Sequence, residues 1–308
     1  MTYLLSDLQT EQFPFLLCRW KCNDAATHVV DDIGGITIPK VGTPTFQGPP
    51  LGKNDITTAC VYGSVGNYFS LLNPGLPFSS TRLGVTVEAL SAQEPNGNSF
   101  AIFGAPGWAS LVVSGSSVTF SFWGAGSAAA PTVLTASNVL YGPGQHIVGT
   151  MDESAGTINI YVDGALVATA AAGYSVAVSA SELLTAGTCS TASHTITGVA
   201  STSGMVTGAT VTGARITGSP TITAINSSTS FSISNYPASN GSSALTVQMP
   251  VQIAAPYSTN TTQSVAQDVA LYYAPLSANR VLQHFQAFRQ ILLDPGHVRV
   301  YPQILVQS

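Results

Sequence analysis

Between residues 157 and 162 apolar and polar side chains alternate, with Ile158, Ile160 and Val162 interleaved with Thr157, Asn159 and Tyr161. This is the period of a strand with one buried face. Asp163-Gly164 follows, a pair suited to the two positive-φ positions of a type I′ turn, and Leu166 to Thr169 returns as the partner strand. The stretch Val118 to Trp123 has the same alternation, with Val118, Phe120 and Phe122 on one face and Thr119, Ser121 and Trp123 on the other.

Residues 189 to 248 differ in character. They contain no carboxylate and a single basic residue, Arg215, and consist mainly of Thr, Ser, Gly, Ala, Ile and Val. Short β-like runs recur at His194 to Val199, Gly208 to Gly213, Thr221 to Ile225, Ser230 to Ser234 and Ala244 to Gln248. Gly, Ser and Asn turns separate them, so the segment reads as a compact β-insertion of about five strands rather than a flexible linker.

The hairpin wording, Ile160-Tyr161-Val162-Asp163-Gly164-Ala165-Leu166-Val167-Ala168, resembles a signature of laminin G-like (LamG) domains of the concanavalin A-like lectin fold. The segment Gly144 to Asp152 resembles that family's preceding strand, with Gln145 where a Trp is usual. Asp268 to Ser277 is similar to its closing motif, which implies a short helix over Asn279 to Phe288. Trp20 to Asp24 and the turn Asp31-Asp32-Ile33-Gly34-Gly35 are similar to its opening strand and loop, and strands at 57 to 62, 67 to 72, 83 to 92 and 99 to 104 match its order. The resemblance implies an all-β chain, a concanavalin A-like (LamG) antiparallel β-sandwich jelly roll with a small inserted β-domain and terminal arms. The expected parts are an N-terminal arm over 1 to 14, a sandwich built from 15 to 188 plus 249 to 290, the insertion over 189 to 248, and a C-terminal arm over 291 to 308.

Composition narrows the partners. Only 7% of the 308 residues are charged and the formal net charge is −5. The mean hydropathy is +0.29, yet no apolar run is long enough to suggest a membrane span. Nine basic residues scattered singly leave no footprint for phosphates, so neither nucleic acid nor membrane insertion is expected. The opening residues Met1 to Asp7 lack the basic start and apolar core of a cleavable secretory signal, which points to synthesis in a cytoplasm. Of the four cysteines, Cys18 and Cys22 would lie about 13 Å apart on an extended strand, too far for a disulfide. Cys60 and Cys189 complete no zinc spacing, and all four read as small buried hydrophobes. The sequons at Asn226, Asn240 and Asn260 carry no weight without secretion.

Catalytic patterns are missing. The hydrolases of this fold resemble one another in a Glu-x-Asp-x-x-Glu strand that sets two carboxyl groups about 5 Å apart. The five glutamates, Glu11, Glu88, Glu94, Glu153 and Glu182, form no such spacing. No serine elbow stands between a strand and a helix, and His146, beside Ile147 and Val148, reads as a hydrogen-bonded structural residue. No cofactor is expected.

Ligand contact has better candidates. Trp123, and Tyr161 with Asn159 beside it, would stand among Thr and Ser on sheet faces, where an aromatic ring stacks on a sugar and polar neighbours bond its hydroxyls. Trp108 is a further rim candidate; a subunit contact or an apolar cap would account for the same rings. Asp31, Asp32 and Asp152 are candidates for loop calcium ligands, although Asp31 and Asp32 fit a tight turn equally well.

The insertion also resembles a Thr/Gly-rich β-module of bacteriophage virion and tail proteins. That resemblance implies a non-enzymatic virion structural protein, an exposed capsid decoration or head-fibre-like subunit, whose partners are other virion proteins and copies of itself. The alternative is a tail-associated adhesin that binds host surface carbohydrate, and the third reading is a polysaccharide depolymerase.

Beyond the sandwich, Val298, Val300, Tyr301, Ile304, Leu305 and Val306 would be an aggregation hazard if left open to water. The C-terminal arm is therefore expected to pack on another chain. Removal of residues 291 to 308 should leave a folded sandwich that fails to oligomerise or to join a particle, as read by sedimentation and by incorporation. Normal assembly of the shortened chain would refute this.

Overall fold

The computed structural model describes residues 16–22, 28–46, 61–64, 67–72, 84–92, 98–105, 108–122, 131–142, 144–172, 182–202, 205, 208–248, 250–256 and 264–292. The two arms up to residue 14 and from 293, together with Trp123, Cys60 and Asn260, lie outside them.

Two antiparallel sheets face one another. The first runs Ala165–Ala171, Thr157–Val162, Gln145–Asp152, Gly84–Ser91, Ser264–Tyr272, Val61–Gly63 and Thr45–Phe46, with Leu16–Trp20 also paired to Ser264–Tyr272. The second runs Thr132–Ala136, Ser117–Phe122, Ala109–Ser114, Ser99–Ala105, Pro250–Pro256, Tyr68–Leu72, Thr37–Val41 and His28–Val30. Period-2 alternation sends Val85, Val87, Ala89, Ile158, Ile160 and Val162 of the first sheet inward against Val118, Phe120, Phe122 and Phe103 of the second. Trp20 stacks on Phe103 at 6.2 Å between centroids, and Trp108 meets the same ring edge-on at 6.1 Å. Where the sheets come nearest, Gly149 admits the Phe120 ring into space that a Cβ would fill.

The third sheet has six strands, ordered Thr210–Gly213, Gly241–Gln248, Glu182–Ser190, Ser193–Thr197, Ser230–Ile233 and Ile222–Ser227. Ile196, Val211, Phe231, Ile233, Leu245 and Val247 form a hydrophobic cluster of their own beneath it. The five β-like runs of the sequence all overlap strands here. Glu182–Ser190, six of whose residues precede 188, adds the sixth by pairing along its length with Gly241–Gln248. Its hydrogen bonds place it in this sheet and not in the sandwich.

The hairpin has the expected two-residue loop. Asp163 has φ 51° and Gly164 φ 79°, the left-handed pair that a type I′ turn requires. The Asp163 carboxylate reinforces the turn by accepting from the backbone N–H of His146 at 3.0 Å. One helix, Ala278–Leu292, closes the described chain and is longer than the expected 279 to 288. Ser277 caps it, its Oγ accepting from the Arg280 N–H at 3.4 Å. Val281, His284 and Ala287, at helical spacing, are buried on one side.

Turn and helix meet at Gly164. A Cβ there would lie 2.9 Å from Phe285 Cδ1 and 3.1 Å from Leu282 Cδ1. Gly164→Val should therefore suffer both a β-branched residue at positive φ and a clash with the helix, and lose more than about 1 kcal/mol of stability. A variant that melts at the wild-type temperature would contradict this account of the turn.

Candidate functional site

The outward face of the first sheet is not open to water along its middle. Opposite the inward Val85, Val87 and Ala89, the strand Gly84–Ser91 presents Thr86, Glu88 and Leu90, all buried. Glu88 pairs across the sheet with Val148 on one side and Ala270 on the other. The helix lies over this patch. Val148, Tyr161, Ala270, Tyr272, Leu276 and Val281 form a second apolar layer around Glu88.

Three donors converge on the Glu88 carboxylate. His146 Nε2 lies 2.6 Å and His284 Nδ1 2.8 Å from Oε1. The Tyr272 hydroxyl donates to Oε2 at 2.8 Å. Because an ionised carboxylate only accepts, the hydrogen bonds assign the proton to Nε2 of His146 and to Nδ1 of His284. Burial pushes the Glu88 carboxyl up, but the charge of His284 and the hydrogen bonds from both imidazoles outweigh it and hold it well below the usual carboxylate range. Burial, and then the Glu88 carboxylate, push the Tyr272 phenol well above its ordinary value. Glu88, His146 and His284 all have 0% side-chain exposure, so the cluster is a strut between helix and sheet with no access for a substrate.

The structure does not bring the sugar-stacking candidates together. Tyr161 is buried in the layer under the helix, and Trp108 is buried against Phe103 in the core. Neither offers an open ring, because the helix covers one and the sandwich core encloses the other. Asn159 is half-buried, with Nδ2 donating to Thr150 Oγ1 at 3.4 Å. Trp123 lies outside the described residues.

The calcium candidates have structural partners. Asp31 accepts from the backbone N–H groups of Arg19 at 2.7 Å, Ile33 at 3.0 Å and Gly34 at 2.6 Å, which makes it the pivot of its turn. Asp32 pairs with Lys21 at 2.9 Å and with Arg19 at 3.7 Å. Asp152 accepts from Ser154 N, Ser154 Oγ and Ala155 N; burial raises its carboxyl, and these bonds together outweigh it and bring it below its ordinary range. Among the described residues no group of three or more His, Cys, Asp and Glu side chains is placed to hold a metal ion. Cys18, Cys22 and Cys189 are buried, and burial, aided by Asp31, pushes the Cys18 thiol up, which leaves it unreactive.

Sequence reasoning missed the most exposed large hydrophobic side chain among the described residues, Tyr141 at 82%. It follows Leu140 in the connection between Thr132–Ala136 and Gln145–Asp152. A single tyrosine in a Gly-rich loop has no periodicity to mark it.

Residues 65–204 match the family model of the concanavalin A-like lectin/glucanases superfamily, Laminin_G_3. The sandwich has the concanavalin A-like lectin fold. Solved structures similar to this chain include a mutant form of HCR/D, with TM-score 0.50 and 10% identity over 94% of this chain and 53% of that one. The receptor-binding domain of botulinum neurotoxin C/D mosaic serotype has TM-score 0.48 and 11% identity over 88% and 51% of the two chains. The binding domain of botulinum neurotoxin DC in complex with SialylT has 0.48 and 10% over 89% and 52%. The chain spans about half the length of these structures, and the likeness to the HCR/D form speaks to the fold alone. No curated protein matches this chain.

The buried strut has a measurable signature. In the unfolded chain the Glu88 carboxyl titrates near the ordinary value of about 4.3, and in the fold it is held lower. Its contribution is thus complete above that ordinary value and is lost as pH falls through the lowered one. Glu88→Gln should cost about 2–3 kcal/mol at pH 7 and flatten the acid limb of the stability curve below about pH 4.3, measured by denaturant melts across pH. An unchanged acid limb would show that Glu88 does not carry this linkage.

Proposed function

We propose that this chain is a non-enzymatic recognition module that binds glycan, presented as an adhesin on the surface of a virus particle. The observation that carries the reading is the commitment of three of its described acidic groups. Glu88 is sealed beneath the helix, Asp31 is engaged by three backbone N–H groups, and Asp152 caps a turn. A retaining or inverting glycosidase needs two carboxyl groups open to one substrate, and these three face none. With no such pair among these described groups, the concanavalin A-like sandwich is read as a rigid frame that presents side chains for contact.

A second reading, a capsid decoration or head-fibre-like subunit, is favoured by the Thr/Ser/Gly-rich β-module with its separate core and by the 7% charge content. Such a surface suits close packing among copies. Both readings share the virion as location, and they differ in whether the exposed surface takes a ligand.

The full chain applied to an array of immobilised oligosaccharides should bind without releasing new reducing ends. Cleavage of any glycan would overturn the non-enzymatic assignment. Absence of binding would remove the adhesin reading and leave the decoration reading in place.

A further inference from the structure

Tyr141 is exposed and yet fastened. Its backbone N–H donates to Gln145 Oε1 at 2.8 Å and its hydroxyl donates to the Asn138 carbonyl at 2.8 Å. The preceding residue, Leu140, is buried in the sandwich core, and the N–H groups of Val139 and Leu140 both donate to the Ser116 carbonyl at 2.9 Å. A ring that remains 82% exposed contributes little to burial. The fold has nevertheless already met the entropy cost of holding it still, which is the condition that makes an aromatic side chain an efficient contact surface.

Asn138 lies at the hydroxyl end of this ring. Asn138, at φ 57°, accepts from Ser116 Oγ at 3.0 Å through Oδ1, which leaves its amide protons as donors. Gln145 Nε2 reaches Asp163 Oδ2 at 3.4 Å, so the loop is tied to the hairpin turn. A Cβ at Gly142, the next residue, would meet nothing within 4 Å. We propose that Tyr141, with the exposed amide of Asn138 beside it, forms a binding site for a neutral hexopyranose. The C–H face of the sugar stacks on the ring and its hydroxyls meet the Asn138 amide. The charge in this cluster is the Asp163 carboxylate, which disfavours a sialic or uronic acid.

The site rests on the glycan-binding reading above, and the test separates the two. The full chain is titrated against immobilised neutral galactose- and glucose-terminated oligosaccharides and their sialylated counterparts, with melting temperature recorded for each variant. Tyr141→Ala should weaken neutral-sugar binding about tenfold or more at an unchanged melting temperature. Tyr141→Phe, which keeps the ring, should retain most of the binding, and Tyr236→Ala, which removes an exposed tyrosine of the third sheet's module, should leave it intact. If wild-type protein binds and Tyr141→Ala binds equally well, the site is refuted while the glycan-binding reading stands. Preference for the sialylated probes would refute the neutral-sugar assignment, and no binding by wild-type protein would overturn both the site and that reading.

Discussion

The Glu88 carboxylate is the point on which the outer layer of this protein depends. An ionised carboxyl group removed from water is costly unless every acceptor position is used. Here the donors come from three separate elements: His146 on the strand Gln145–Asp152, Tyr272 on the strand Ser264–Tyr272, and His284 on the helix Ala278–Leu292. The helix cannot leave without stranding the charge. Its position then dictates what surrounds it, including the burial of Tyr161 and the close fit of Phe285 and Leu282 over Gly164.

That layer explains where sequence reading succeeded and where it stopped. The hairpin was legible because period-2 alternation and Asp163-Gly164 are local signals, and the structure has both the buried Ile158, Ile160 and Val162 and the left-handed turn. The strand runs of the insertion were legible for the same reason. Tyr161 was not, because alternation reports which residues share a face and not what covers it. A polar-looking face beneath a helix reads like one in water. Glu88, a lone carboxylate between Val87 and Ala89 in a strand with both faces buried, was the available sign that something polar had to meet it. Trp108 was misplaced for a related reason: its Gly and Pro neighbours suggest a rim, yet its N–H bond to the Ala105 carbonyl at 2.9 Å belongs to a turn whose ring points into the core.

The candidate site shows a comparable split. The acidic residues singled out as metal ligands serve as turn caps or ion-pair partners, a use of aspartate that the spacing Asp31-Asp32-Ile33-Gly34-Gly35 already allowed. Tyr141 carries no pattern at all. Its distinction arises from tertiary contacts, a glutamine four residues on and a serine carbonyl on a different hairpin, which hold in place a loop that the sequence alone marks only as glycine-rich.

The pairing of the first described strand, Leu16–Trp20, with the last, Ser264–Tyr272, bears on how the chain reaches its native state. Contacts between segments so distant along the chain form late, since loop closure must precede the reward of pairing. During synthesis the third sheet can gather its own core from residues 182 to 248 while Leu16–Trp20 still lacks its neighbour. The sandwich seals only after the far strand has left the ribosome. Until then Cys18 and Trp20, both wholly enclosed in the finished fold, have no cover from that strand. Maturation of this protein is thereby exposed to chaperone supply and temperature in a way that its finished stability would not reveal.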